Sequence, residues 1–235
     1  MGKGRKFVLT IAFWLLAGLV ATPRVGAGTF RDDFEDGDLD DWRQANPGGL
    51  MLWEIDDGEL ECTRQSSEST ILIIGEDDWS DYTIEYDVML LEDLGPGDVD
   101  VMARYIDPVW SQVIIFAVGD FFGAPAVFAQ RLPGNITTQK PFGPLELNEW
   151  HHIKLETELD DFTFWANDEK IMEHKDKVVK NGSIGLGLAN YTARFDNVEV
   201  TGPDVPDVTP PTWKARPVQP RHKLAETWGK IKLSQ

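Results

Sequence analysis

From residue 81 to 90 the chain alternates: Tyr82, Ile84, Tyr86, Val88 and Leu90 take every second position, with Thr83, Glu85 and Asp87 between them. Successive side chains of a strand point to opposite faces, so this period of two predicts an antiparallel strand with one face buried and the other wet. Further β-type runs occupy 99–106, 112–118, 150–158, 161–167 and 182–189, parted by turn-forming stretches such as "DPVW", "LPGN", "ELDD", "NDEK" and "KNG". No long window carries the 3.6-residue period of a helix. About a dozen strands in roughly 175 residues predict one all-β unit over 28–202, a two-sheet antiparallel sandwich rather than two domains.

The last run does not keep its parity. In "RFDNVEVTG" (194–202), a Phe195 that faces inward would carry Asn197 and Glu199 with it, yet the next apolar residues are Val198 and Val200. The inward set shifts by one at Asp196 and Asn197, which predicts a bulge with a carboxylate at the irregularity.

The pattern changes at both ends. Lys3, Arg5 and Lys6 precede an apolar run at 7–21, and the small residues "VGA" precede Gly28. Residues 1–27 therefore read as a secretory signal, its core short of the ~20 residues that a spanning helix needs. No later stretch approaches that length, so the mature chain is expected to be secreted, extracellular or periplasmic, with no membrane span. Beyond Gly202, residues 203–220 are rich in proline and predict an extended linker. Residues 221–235 place Leu224, Trp228 and Ile231 at helical spacing among basic residues, a short basic amphipathic tail.

Charge narrows the partners. The formal net charge is −18, and loss of Lys3, Arg5, Lys6 and Arg24 with the signal makes it more negative still. Nucleic-acid binding is driven by neutralising phosphates, so the balance argues against nucleic acid. The same carboxylates supply oxygen ligands for hard cations. A single cysteine, Cys62, permits no intrachain disulfide and no thiolate zinc cluster; it alternates with Leu60 and reads as a small core residue. From 203 onward the chain carries six Lys or Arg against three acids, opposite in sign to the domain it follows. Docking on that domain or on a surface component is one reading of this tail, and a frayed end is the other.

Five motifs fall in order along the chain: "FRDDFEDGDLDDW" (30–42), "WEIDDGELE" (53–61), "DYTIEYDV" (81–88), "NEWHHIKLE" (148–156) and "FDNVEV" (195–200). Together they resemble the LamG-like jelly rolls of the concanavalin A-like lectin and glucanase superfamily, over nearly all of 30–202. A sibling family of the same architecture, the 3-keto-disaccharide hydrolase domain, opens with a comparable segment from a tryptophan to Asp-Gly-Glu-Leu, although its asparagine-rich stretches are not evident here. The resemblance implies a jelly roll whose first and last strands lie side by side and, as in several members, a structural calcium at that join. It implies Asp196 as the main carboxylate and Gly58 as a carbonyl ligand, with Asp33, Glu35 and Asp36 as the nearby acids. Calcium takes about six to eight oxygens of both kinds, which suits a bulge beside acidic turns. The alternative is that Asp196 hydrogen-bonds a neighbouring turn.

The glucanases of the superfamily cleave sugars with alternate acids on one inner strand. Here Asp98 and Asp100 alternate but Met102 holds the third position, so they read first as solvated residues and second as an acid pair for glycoside hydrolysis. His151 and His152 are strand neighbours and point to opposite faces, so they do not grip one zinc together. Trp165 opposes Phe162 and Phe164 in parity and so faces the polar side. With Trp110, Arg104 and Tyr191 it forms the candidate saccharide-binding set, aromatic platforms joined by a hydroxyl-binding cation. Gly185 and Gly187 leave a bare strip that a neighbour or a ligand must fill, and Phe121 and Phe122 fall in a loop, where exposed aromatics mark a contact surface. Three sequons, at Asn135, Asn181 and Asn190, fit surface loops. The sequence points to a secreted, non-catalytic domain that binds carbohydrate or another cell-surface polymer, with a glycoside hydrolase and an adhesive protein acting through its tail as the alternatives.

Overall fold

The computed structural model describes residues 26–45, 53–63, 70–108 and 111–214. The expected signal peptide up to residue 25, Trp110, and the chain beyond 214 with its basic amphipathic segment lie outside the described residues. Within them there are thirteen strands and no helix: β1 (Gly28–Asp32), β2 (Arg43–Gln44), β3 (Trp53–Asp56), β4 (Glu59–Cys62), β5 (Thr70–Ile74), β6 (Thr83–Ile106), β7 (Gln112–Gly119), β8 (Ala126–Leu132), β9 (Ile136–Pro141), β10 (Trp150–Glu158), β11 (Asp161–Ala166), β12 (Glu169–Lys175) and β13 (Ser183–Gly202).

Two long strands organise the others. β6 and β13 pair antiparallel along most of their length, and each runs through two layers. In the first layer, 83–89 of β6 and 195–201 of β13 are central, with β10, β11 and β12 beyond β6 and with β1, β4 and β3 beyond β13. In the second, 98–106 and 183–189 are central, flanked by β7, β8 and β9 on one side and by β5 and β2 on the other. The crossing falls at 90–97, opposite slips in the ladder between Ala189 and Tyr191 and between Thr192 and Ala193. The alternation gives 81–90 and 99–106 as separate runs, yet the chain stays extended through the "LGPG" between them. Pro96 has no N–H to donate and sits between paired positions, while its carbonyl accepts Asn190 Nδ2 at 2.6 Å.

Turn chemistry sets the tight hairpins. Asp57 and Gly58 between β3 and β4 (φ 53° and 78°), and Asn167 and Asp168 between β11 and β12 (51° and 63°), are two-residue loops with both φ positive. That conformation matches the twist of the flanking strands, and these residue types tolerate it. Between the layers the inward set of β6 is buried as expected, with Phe162, Phe164, Leu186 and Phe195 opposite or beside it. Phe116 stacks on Phe162 at 5.4 Å and meets Phe164 at 5.8 Å. Each such side chain removed from water contributes about 1.5–3 kcal/mol. Cys62 belongs to this core, its thiol 3.6 Å from the Thr70 hydroxyl. A second buried cluster, including Ile71, Ile73, Met102, Tyr105, Ile115 and Phe128, lies on the other face of the second layer.

The parity break is where the pattern puts it. The β6–β13 register slips between Asp196 and Glu199, Asn197 has φ 52°, and Phe195, Val198 and Val200 are all fully buried. The proline-rich segment differs from a free linker as far as residue 214, because it turns back along β1. Arg31 N–H donates to Val208 O at 2.8 Å, Val208 N–H donates to Thr29 O at 2.9 Å, and the Arg31 guanidinium lies 5.5 Å from the Trp213 ring. Proline keeps this segment out of a sheet interior but allows a single parallel bridge, Phe30 to Val208, at a strand edge.

Arg104, expected on a ligand-binding surface, is instead an interior residue. Alternation from Met102 would place it on the outer face of the second layer, but the ladder to β7 slips between Ala103 and Ile106 and Arg104 has φ 53°. The bulge turns the guanidinium inward, 4.8 Å over the Phe162 ring. It donates to Val179 O (2.8 Å), Leu159 O (2.8 Å) and Ser80 O (3.1 Å) and pairs with Asp81 at 3.3 Å, so three connecting segments hang on one side chain. Arg104→Leu removes the guanidinium donor from the Val179 and Leu159 carbonyls, while Ser80 O keeps the Thr157 hydroxyl, and should lower stability by about 3–5 kcal/mol, with Arg104→Lys recovering only part because an ammonium cannot span all four acceptors. Urea unfolding of the variants measures this.

Candidate functional site

At the closing seam, β1 lies antiparallel to the end of β13, Phe30 opposite Val200 and Asp32 opposite Val198. This brings the 33–36 turn, the Gly58 turn and Asp196 to one corner. The Glu35 carboxyl carbon is 3.0 Å from where a Cβ on Gly58 would stand, and the φ of 78° at Gly58 is the conformation that favours glycine there. Asp33 is buried and accepts the Thr212 hydroxyl at 2.8 Å. Asp36 stays in the exposed turn, facing Asp38 N–H at 3.4 Å. Asp196 accepts Asn197 N–H at 2.6 Å and Asn197 Nδ2 at 2.8 Å, and the same Nδ2 also donates to Asp87 at 3.1 Å. Burial pushes the Asp196 carboxyl up to about 6; the Asn197 N–H opposes this, and the charges of Asp87, Glu59 and Asp33 add to it. Asp87 and Glu59 were not among the expected residues, because only the register Asp196 to Asp87 and the β3–β4 turn bring them here.

Glu35 thus stands over the Gly58 turn and Asp33 is near enough to Asp196 to act on it, while Asp196 itself hydrogen-bonds Asn197 in its own bulge. Among the described residues no group of three or more His, Cys, Asp or Glu stands close enough to hold a metal ion. The donor set fits a hard cation only if carbonyls of the Gly58 turn and the 33–36 turn join the Asp196 and Glu35 carboxylates; it is not a cage of acids.

A different arrangement occupies the outer face of the second layer. β6 sends Val99, Val101 and Ala103 into the inter-sheet core, leaving Asp98, Asp100 and Met102 to the other side. Asp98 lies between Gly119 on β7 and Ala189 on β13, and Asp100 lies between Ala117 and Gly187. Neither acid is solvated as expected: Asp98 is 4% and Asp100 1% exposed. Parity tells which face a residue takes, not whether that face is covered, and Ile71, Ile73 and Phe128 are buried on it too. The bare strip on β13 is filled by Asp100 itself, since a Cβ on Gly187 would fall 1.5 Å from its Oδ1.

Asp98 Oδ1 is buried with no hydrogen-bond partner. Burial pushes this carboxyl up to about 7, with the charge of Asp120 adding to the effect. Asp120 and Gly97 exchange backbone and side-chain hydrogen bonds at 2.8 and 2.9 Å, which pins the start of the 120–125 loop beside Asp98. That loop carries Phe121 and Phe122, both exposed, edge to face at 5.1 Å, with Phe122 meeting Phe128 of the outer face at 5.0 Å. Tyr191 is near the same end; burial, followed by Asp120, Asp93 and Asp98, pushes its phenol up to about 12.

The expected saccharide set does not converge. Tyr191 joins Asp98, while Arg104 is interior and Trp110 lies outside the described residues. Trp165 is on the outer face of the first layer as its parity predicts, under Lys154 Nζ at 5.4 Å. His151 is buried and hydrogen-bonds Glu146 O (2.9 Å) and Asn167 Nδ2 (3.1 Å), while His152 faces Glu85 and Asp87 on the opposite side.

Across residues 29–201 the chain matches the model of the 3-keto-alpha-glucoside-1,2-lyase-like domain. The chain belongs to that family. The lyase-like domain is also similar to the levanase of Bacillus subtilis (strain 168), 26% identical over 148 residues that make up 59% of this chain and 20% of the levanase. It thus spans about one fifth of that relative. Among solved structures, it resembles the carbohydrate binding module CBM66 from Bacillus subtilis (21% identity, TM-score 0.55, covering 68% of this chain and 94% of that one). It also resembles the β-glucanase of Bacillus licheniformis (12%, TM-score 0.57, 74% and 98%). These similarities show the fold, an antiparallel jelly-roll sandwich. The sibling family noted from the Asp-Gly-Glu-Leu segment, not the LamG-like one, is the family whose model fits.

In the lyase-like domain both perturbed carboxyls titrate in the same sense. The folded values of Asp98 (about 7) and Asp196 (about 6) lie above the ordinary 3.8, so the fold favours their protonated forms. Their contribution to stability is complete below about pH 4, is lost as pH rises through the folded values, and changes no further above them. In the presence of chelator, urea midpoints should therefore fall between pH 4 and 7.5. Asp98→Asn should flatten most of that fall, and Asp196→Asn a smaller part.

Proposed function

We propose that this lyase-like domain is an exported carbohydrate-binding module that holds a saccharide on the outer face of the second layer, between the Phe121–Phe122 pair and recessed Asp98. The carrying observation is the Asp98 Oδ1 atom, buried without a donor on a floor of glycine and alanine. An unsatisfied buried acceptor is costly, and a sugar hydroxyl is a neutral donor that would satisfy it. Each exposed ring of this edge-to-face pair offers a flat apolar face that a pyranose or furanose ring covers. Likeness to the levanase and to CBM66 supports a carbohydrate partner. The amino-terminal apolar segment supports export, and the net charge of −18 speaks against polyanions. In the mature domain, calorimetry against levan, β-glucan and cell-wall polysaccharides should give binding without product release. Phe122→Ala and Asp98→Asn should each weaken binding about tenfold or more. Binding to none of them, or binding indifferent to both substitutions, sinks the reading.

A sugar-cleaving enzyme is the second reading, favoured by the protonation of Asp98 near neutrality. A desolvated acid beside a second carboxylate on the same strand face is a general-acid arrangement, and the two positions lie ~6.5 Å apart along a strand. Release of reducing sugar that is lost in folded Asp98→Asn would favour it over simple binding.

Calcium at the seam belongs to the same proposal, held by Asp196, Glu35 and carbonyls of the Gly58 and 33–36 turns. There it would neutralise the acids that push Asp196 up and tie both chain ends together. Millimolar calcium should raise the melting temperature by several degrees, chelator should reverse this, and Asp196→Ala should abolish the response. A melting temperature indifferent to both removes the ion.

A further inference from the structure

On the side of the sandwich away from β3, the two layers end in open edges. Among the described residues β12 pairs only with β11, and β9 only with β8. Between these edges runs an open groove of about 710 Å³, lined by Thr137 and Thr138 of β9, Asp161, Phe162 and Thr163 of β11, and Glu173, His174 and Lys175 of β12. At its base Thr138 Oγ1 and His174 Nδ1 meet at 3.1 Å, one side chain from each layer. The imidazole is held edge-on by Phe116 at 5.8 Å and tilted against Phe162 at 6.1 Å, so its direction is fixed. His174 is 7% exposed, and its Nε2 is buried with no partner. Arg131 and Asp176, paired at 3.0 Å, are the charged groups behind it.

We infer that this edge groove is a second saccharide-binding site, built for an uncharged hydroxyl-bearing chain. The charges at its mouth are already matched, Asp161 with Lys175 and Glu173 with Lys170, so a charged ligand meets no net field there. The remaining groups are hydroxyls and oxygens able to donate and accept in turn, which suits the paired donor and acceptor character of sugar hydroxyls. The groove adjoins the second layer through β9, whose Thr137 and Thr138 line it and which pairs with β8. A polymer long enough to pass from the exposed Phe121 and Phe122 round the β9 edge would engage both places, and two weak contacts on one chain multiply into a tighter hold. The ligand class rests on the saccharide reading of the outer face; the location does not.

The test is a nuclear magnetic resonance titration of the mature chain with oligosaccharides cut from levan and from β-glucan, up to ten-millimolar order. Saturable shifts are expected at Thr138, Thr163 and the His174 ring. They should persist in Asp98→Asn and weaken about tenfold in Thr163→Val and in Glu173→Ala, two partly or fully exposed positions whose change leaves the fold intact. Shifts confined to the Phe122 and Asp98 region overturn the groove alone. Shifts confined to the groove support it while removing the outer-face site, and the absence of any shift overturns both.

Discussion

The pairing of β6 with β13 is the constraint on which every other feature hangs. Each strand spans both layers, so one antiparallel ladder supplies the centre of both sheets and fixes their relation. A register slip in that ladder moves every later side chain to the other face. The structure contains several slips, and each coincides with a consequence: the crossing between layers at 90–97, the bulge at Asp196, and the bulge beside Arg104 on the neighbouring ladder. Irregularities of this kind bend the ladder at one residue and leave its regular parts intact, which is how a single pair of strands serves two layers.

Polar groups are treated in two ways inside this frame. Arg104 is buried and fully engaged, so its charge organises three loops. Asp98 is buried with one oxygen unmatched, and His174 with one nitrogen unmatched. Buried groups without partners are uncommon in folded chains because each costs free energy, so they carry more weight as binding positions than exposed acids do. The seam differs from both. Burial and its neighbours' charges raise Asp196, yet Asn197 threads hydrogen bonds between Asp196 and Asp87, so part of the repulsion is already relieved.

The chain ends reinforce the same corner. Closing β1 against β13 joins residues far apart in sequence, and the returning segment at 205–214 adds a parallel bridge and the Thr212 contact to Asp33. A long loop closed in this way is entropically expensive, which gives the seam its need for additional ties. It also covers β1, whose outer edge would otherwise be free to pair with another chain.

The one-dimensional pattern by itself determined the all-β class, the inward set of β6, the core position of Cys62, the outward Trp165, the divergence of His151 from His152, and the bulge at Asp196. All of these follow from the period-two alternation and from turn residues, which are local. Only the tertiary structure decided that "LGPG" continues a strand, that Arg104 turns inward, that Asp98 and Asp100 are buried, and that the proline-rich segment returns as far as β1. Those outcomes depend on which strand lies opposite, where its register slips, and what covers a face. Such facts involve partners distant in sequence, and alternation along a single strand carries no record of them.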